Sequence, residues 1–285
     1  MLFRSSYLST YTLTVTESAE YVANFQEITN GFVIGDATYT NSFLPINSYY
    51  SLSEQIFTAN EMGGTACQIS SVSFFNTGTS NKIRTMNIYM VSTDKTVFDS
   101  VSDWIPVSES DLVYSGSVVI PARDWATIYF STPFNYDGSS NVALIVDDDS
   151  NSNNSSTSFR SFVTEGNQAI RIYGSGTNYD PTNPSGYTGT LMSMKNQVIF
   201  RWPSTVTATA NPTGGGTVSG YGSYAYGTTC TLTATSNIGY YFLNWTENGT
   251  VVSYDATYSF TVNGDRNLVA NFIEGESMCA ISFDL

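Results

Sequence analysis

Between residues 51 and 202 apolar and polar side chains alternate in nine separate runs. They are SLSEQIFT, QISSVSFFNT, IRTMNIYMVST, DLVYSGSVVI, WATIYFST, NVALIVDDD, TSFRSFV, AIRIYGS and NQVIFRW. Alternation of this kind sends successive side chains to opposite faces of a strand, and clusters of Gly, Asn, Asp or Ser bound most of the runs. Eight to ten strands joined by loops of unequal length predict an antiparallel two-sheet sandwich of the jelly-roll type. One short helix is predicted over residues 94–101, with Asp94 as its cap. The stretch DWIPVSESDLVYSG is expected to cross between the two sheets, with Trp104 and Ile105 tucked beneath it.

After residue 203 the alternation becomes tighter. STVTATANP, GGGTVSG, SYAYG, TTCTLTATS, YYFLNWTENG, TYSFTV and NLVANF predict six or seven short strands. Gly214, Gly215, Gly216, Gly222, Gly227 and Gly239 fall at the joints, and Asn248-Gly249 and Asn263-Gly264 are hairpin signals. One phrase from this region occurs twice. YTLTVTESAEYVANF at 11–25 and YSFTVNGDRNLVANF at 258–272 align without a gap, sharing the first Tyr, a Thr-Val pair and the closing Val-Ala-Asn-Phe.

Composition supports an all-β reading and narrows the partners. Only 12% of residues are charged, while 20 Tyr and 17 Phe sit among many Thr, Ser, Asn and Gly, a vocabulary of strands and turns. Ten Lys and Arg against 24 Asp and Glu give a net charge of −14, which disfavours nucleic acid and anionic membrane surfaces. Histidine is absent, which removes Ser-His-Asp and Cys-His catalysis and every His-containing zinc site. Cys67, Cys230 and Cys279 are odd in number and widely spaced, so they read as small buried hydrophobes and not as a disulfide framework.

No run is long enough to span a membrane, and the first fifteen residues lack the apolar core of a signal peptide. The composition nevertheless suits the outside of a cell. If residues 11–25 are the tail of a domain whose front is missing, Met1 is an internal position of a longer exported protein whose leader lies upstream.

The stretch NPTGGGTVSGYGSYAYGTTCTLTATSNIGYYFLNWTENGTVVSYDATYSFTVNGDRNLVANF closely resembles the divergent internalin-type B-repeat of bacterial surface proteins. That resemblance implies a small β-rich spacer module, used in tandem within long adhesins, with no catalytic residue. By the same likeness 11–25 is the last hairpin of a preceding copy. The central segment resembles a jelly-roll module that recurs in secreted Bacteroidetes proteins, through TNSFLPINSYYSLSEQIFTANEMGG, YDGSSNVALIVDDD and NQAIRIYGSGTNYDPTNPSGYTGT. The organisation implied is a B-repeat remnant at 1–27, a jelly-roll sandwich at 28–203, a B-repeat at 204–274 and a tail or linker at 275–285.

Two loops carry candidate chemistry. In VDDDSNSNNSS, Asp147, Asp148, Asp149 and Asn151 offer the oxygens that a hard cation such as calcium needs. The spacing is not that of an EF-hand, strand alternation would separate Asp148 from the other two acids, and a solvated strand end is the competing reading. In GSGTNYDPTNPSGYTGT, Tyr179, Asp180, Asn183 and Tyr187 combine aromatic faces with short polar groups, a mix that suits a sugar ring. A packed structural loop is the alternative there. Glu54 and Glu165 stand near strand positions that could face a groove, but are expected to meet solvent or cap turns.

With no catalytic constellation, the expected function is non-enzymatic: an extracellular or cell-surface adhesin segment, monomeric, whose sandwich binds a glycan or a host or matrix protein while B-repeats act as spacers. An accessory carbohydrate-binding module of a larger secreted hydrolase or protease is the second reading, and a purely structural stalk is the third.

Overall fold

The computed structural model describes residues 30–36, 39–153 and 157–275, all of them organised by β-strands. The chain divides into two compact units, Met1–Arg201 and Trp202–Leu285. The early copy of the repeated phrase, the remnant expected at 1–27, Cys279 and nearly all of the expected 275–285 tail lie outside the described residues.

In unit 1 the strands are β1 (Gly31–Ile34), β2 (Tyr39–Ser42), β3 (Tyr50–Phe57), β4 (Cys67–Phe75), β5 (Lys82–Thr93), β6 (Leu112–Ile120), β7 (Trp125–Tyr136), β8 (Asn141–Asp148), β9 (Phe159–Val163), β10 (Ala169–Gly174), β11 (Thr190–Met192), β12 (Met194–Asn196) and β13 (Val198–Arg201). They form a six-stranded sheet ordered β11-β10-β3-β8-β5-β6, a four-stranded sheet ordered β1-β13-β4-β7 and a three-stranded sheet ordered β12-β9-β2. The pairings are antiparallel throughout. All nine alternating runs of the sequence become strands, and the unit is the antiparallel sandwich their pattern predicts.

Alternation decides what each face buries. On β3, β5 and β8 one set of side chains, Phe57, Met86, Ile88, Met90, Val142, Leu144 and Val146, meets Val72, Phe74, Ile128, Phe130 and Phe200 in one core. The other set, Leu52, Ile56, Tyr89, Ala143 and Ile145, forms a second apolar layer with Phe98, Trp104, Ile105, Val107 and Tyr179. The central strands of the six-stranded sheet are therefore covered on both faces.

Two local expectations are corrected. Residues 94–101 form no helix, because their amides are spent elsewhere: Phe98 N donates to Asn167 O and Asp99 N to Asp103 Oδ2. The stretch holding Trp104 and Ile105 does not cross between sheets, since β5 and β6 are antiparallel neighbours in the same sheet. It folds back over that sheet's outer face, and both side chains are indeed buried.

Unit 2 holds β14 (Ser204–Asn211), β15 (Gly216–Ser219), β16 (Gly222–Tyr224), β17 (Thr229–Ser236), β18 (Tyr240–Glu247), β19 (Thr250–Ser253), β20 (Thr257–Thr261) and β21 (Arg266–Glu274). The sheets run β16-β14-β21-β18-β19 and β15-β17-β20. β14 and β21, the first and last strands, pair in parallel at the middle of the larger sheet. Asn248 and Gly249 take positive φ in the β18–β19 hairpin, as their dipeptide predicts. Asn263-Gly264 is not a hairpin turn, because β20 and β21 belong to different sheets.

Trp245 is fully buried in the core of this unit with Leu232, Leu268, Ala270 and Phe272. The GGGTVSG motif follows from that core: a Cβ on Gly216 would lie 2.3 Å from the Phe272 ring. In the GDRN motif, Asp265 Oδ1 accepts from Thr205 N at 2.8 Å, and Arg266 pairs with Glu247 at 2.6 Å.

Candidate functional site

The loop at 174–190 lies down on the outer face of the six-stranded sheet. Tyr179 is 8% exposed and belongs to the outer apolar layer. Its ring meets Tyr187 edge-on at 5.3 Å. Tyr187 is held through its carbonyl, which accepts from Trp104 Nε1 at 3.0 Å, and through its hydroxyl, which accepts from Asp180 N at 2.9 Å. Gly189 N donates to Val101 O, and a Cβ on Gly189 would sit 2.7 Å from the Trp104 ring. Close approach at that point requires glycine. Asp180 turns back on Thr182, whose amide and hydroxyl hold the carboxyl below its ordinary range. Asn183 is exposed, and its Oδ1 accepts from Ser185 Oγ. The four residues come together as a packed loop, with Tyr179 turned inward.

The acidic stretch splits as alternation requires. Asp147 and Asp149 share one face, and Asn87 Nδ2 donates to both, at 3.1 and 2.8 Å. Asn87 Oδ1 in turn accepts from Ser115 Oγ at 2.8 Å. Asp148 faces the other way and is bound to Arg84, while Asn151 is an exposed residue at positive φ. The four predicted ligands thus do not form one cluster. Among the described residues no group of three or more His, Cys, Asp or Glu is arranged to hold a metal ion.

Burial pushes the Asp147 carboxyl up to about 8, and the negative charges of Asp149, Asp148 and Asp180 add to the effect. The same field reaches Tyr89, whose phenol is pushed up to about 12 by burial and by Asp147, Glu109, Asp149 and Asp180. Glu54 corrects its expectation: it is fully buried, and Oε2 accepts from Ile105 N at 2.8 Å. Burial raises its carboxyl to about 8 as well.

A pH dependence follows. Each of these acids is neutral in the folded protein and ionised in the unfolded chain between about pH 4 and pH 8, so the folded state binds more protons there. Their contribution is complete below pH 4 and is lost as pH rises through 8. Thermal unfolding of the sandwich should show Tm falling from pH 5 to pH 8, and Glu54→Gln should flatten that slope by removing ~2–4 kcal/mol of the stability lost across the range. An unchanged slope in that variant would exclude Glu54 as its source.

The face that remains open lies around β6. On its outer side Ile83, Thr85 and Asn87 stand directly across from Val119, Ser117 and Ser115. Ile83 and Val119 are 69% and 61% exposed. Along the open side of the sandwich β6 runs beside β7, where Ser131 Oγ donates to Val113 O. A groove of about 300 Å³ lies here, lined by Tyr114, Ser117, Val118, Val119, Thr127, Ile128 and Tyr129. Tyr129 is 39% exposed, and Tyr114 is braced by its hydroxyl donating to Ser117 O at 2.8 Å. Two tyrosines, hydroxyls and a short aliphatic wall suit a ligand with alternating polar edges and apolar faces.

Comparison with known proteins bears on unit 2. Residues 206–276 match the family model of the divergent InlB B-repeat domain. No curated protein and no solved structure matches the chain. The matched residues run from within β14 to the end of β21, and they include the Gly216–Phe272 approach and the buried Trp245. Among the described residues no helix is long and apolar enough to cross a membrane.

Asn87, Tyr114 and Tyr129 were not singled out from the sequence. Asn87 had a usable signal, since an amide in the middle of a strand is unfavourable unless something binds it. The tyrosines had none, because a chain with 20 of them does not mark which two line a groove.

Proposed function

We propose that this chain is a segment of a surface or secreted adhesin. Its sandwich binds a short glycan in the β6–β7 groove, and the B-repeat acts as a spacer. The B-repeat match supports the surface or secreted setting. The sandwich is of the jelly-roll kind, acts by binding and not by catalysis, and belongs with secreted modules of similar build.

The observation that carries the reading is the contrast between two tyrosine pairs. Tyr179 and Tyr187 spend their rings on each other and on the sheet, whereas Tyr114 and Tyr129 line a groove that opens to solvent. Sugar recognition needs an aromatic face with hydrogen-bonding groups beside it, and Ser117 and Thr127 supply the latter.

A glycan array probed with the whole chain, with and without chelator, tests this. Saturable binding is expected, weakened at least tenfold (about 1.4 kcal/mol) by Tyr129→Ala and unaffected by Tyr187→Ala or by chelator. Binding lost with Tyr187→Ala and retained with Tyr129→Ala would move recognition to the 174–190 loop. An array without any bound glycan would overturn the proposal and favour a stalk.

A further inference from the structure

Lys195, on β12, is fully buried. Its Nζ lies 2.7 Å from Gln168 Oε1, 2.7 Å from Glu61 Oε2 and 2.8 Å from Ile56 O. The rings of Phe57 and Phe162 stand 4.8 and 5.5 Å from the same nitrogen. An amine, a carboxamide and a carboxyl therefore meet in one partly apolar enclosure, brought there from three distant parts of the chain. None of them takes part in the groove described above.

We propose that Lys195 and Gln168 join in an intramolecular isopeptide bond, with Glu61 as the proton-transferring group. The Lys195 amine attacks Cδ of Gln168. The new Nζ–Cδ bond forms, the Cδ–Nε2 bond breaks, and Nε2 leaves as ammonia with one proton taken from the lysine. Glu61 receives that proton from the attacking nitrogen and delivers it to the departing one, so the carboxyl ends as it began. Nothing is oxidised or reduced, and no co-reactant is needed.

Three features favour the step. Attack needs the neutral amine, and burial lowers the Lys195 pKa while Glu61 pulls against it. Glu61 Oε2 is fixed beside the amine, since it also accepts from Thr58 N at 2.8 Å and from Thr58 Oγ1 at 2.9 Å. Proximity supplies the rest, since the amide carbon is one bond beyond an oxygen already in contact with the nitrogen, and fixed neighbours react as though at very high concentration. Gln168 is also held in place by its backbone, whose carbonyl accepts from Ile56 N at 2.9 Å.

The product would tie β12 of the three-stranded sheet to the entrance of β10 in the six-stranded sheet. Such a link suits a protein that must resist pulling and proteolysis, though its detection does not depend on any ligand.

Mass spectrometry of the purified, denatured whole chain reads the bond directly. The expected mass is lower than the sequence mass by one ammonia, about 17 Da. Trypsin should fail to cut after Lys195 and should release a branched peptide joining 161–171 to 172–201. That peptide distinguishes the bond from ammonia loss at an Asn-Gly site. Gln168→Met keeps the Lys195–Glu61 pair and should show its full sequence mass, with cleavage after Lys195 restored. Glu61→Gln should also remain unlinked.

A wild-type chain at full mass with normal cleavage after Lys195 would overturn the proposal. A branch running to Glu61 with loss of water would overturn Gln168 as the electrophile. Linkage that persists in Glu61→Gln would remove Glu61 from the reaction.

Discussion

Arg84→Ala should destabilise the sandwich unit by roughly 3–5 kcal/mol, one of the two largest losses expected from a single substitution in this chain. Arg84 and Asp148 are both essentially inaccessible to water. The guanidinium donates through Nε to Asp148 Oδ2 at 2.9 Å and through Nη2 to the same oxygen. Its remaining donors reach Ser48 O at 3.0 Å and Ser152 O, so one side chain fastens the loop before β3 and the loop after β8. Ser150 binds the second Asp148 oxygen through its amide at 3.1 Å and through its hydroxyl.

Removing the arginine leaves a buried carboxylate with no counter-charge and frees two carbonyls. For a domain of this size the loss corresponds to a fall in Tm of about 10 °C. Asp148→Ala should cost a similar amount. The double substitution Arg84→Met with Asp148→Leu should recover more than half of either loss, because an apolar pair of similar volume needs no compensation. Urea unfolding of the four proteins measures this. A cost below about 1 kcal/mol for either single variant would show that water replaces the missing partner.

This ion pair shows where reading from sequence reaches its limit. The alternation of β8 placed Asp147 and Asp149 on one face and Asp148 on the other, as observed. What it did not identify was Arg84, which lies 64 positions away and becomes the partner only through the β5–β8 register. The 174–190 loop shows the same limit differently. Its composition of Tyr, Asp, Asn, Gly and Pro is equally suited to sugar binding and to tight packing, and the decision rests with Trp104 and Gly189, which contact each other only once the chain has folded.

Local signals misled where they competed with long-range contacts. Residues 94–101 offer a capping aspartate and a short helical pattern, yet Phe98 gains more by entering the outer layer. Asn263-Gly264 is a hairpin dipeptide, yet it serves a crossover between sheets. Strands β1, β2, β11, β12 and β19 were not predicted, since runs of three or four residues carry too little alternation to detect.

The repeated phrase was the most legible feature, and unit 2 explains why. Its shared positions correspond to Tyr258, Thr261, Val262, Val269, Ala270, Asn271 and Phe272. Val262, Ala270 and Phe272 are core residues, and Asn271 is tied on the outer face to Asn211, Asn244 and Thr246. Asp265 and Arg266, which fasten β14 and Glu247, are replaced by Ser18 and Ala19 in the early copy. What the two copies retain is the code for a central strand, which is information about fold and not about ligand.

Trp245→Ala should be the most damaging change in unit 2, at roughly 3–5 kcal/mol. The indole is wholly buried between both sheets of the unit, 6.0 Å from Phe242, with its Nε1 donating to Ala256 O at 3.3 Å. The register shift in β18 between Phe242 and Asn244 aims this side chain inward. Truncation therefore removes a large apolar surface, opens a cavity beside Leu232 and Phe272, and leaves Ala256 O with only the bond it accepts from Ala234 N. Trp245→Phe should cost less, about 1–2 kcal/mol, since most of the volume survives and the hydrogen bond does not.

Hydrogen exchange read by mass spectrometry follows the effect strand by strand. Protection should fall across β14, β17, β18 and β21 in Trp245→Ala, while β3, β5 and β8 of the sandwich exchange as in the parent. Loss of protection in both units would mean that they unfold as one, and the B-repeat could then not serve as an independent spacer. Unchanged protection in β17 and β21 would mean that Phe242 and Phe272 close over the gap, and that the module owes its stability to its aromatic layer as a whole and not to this tryptophan.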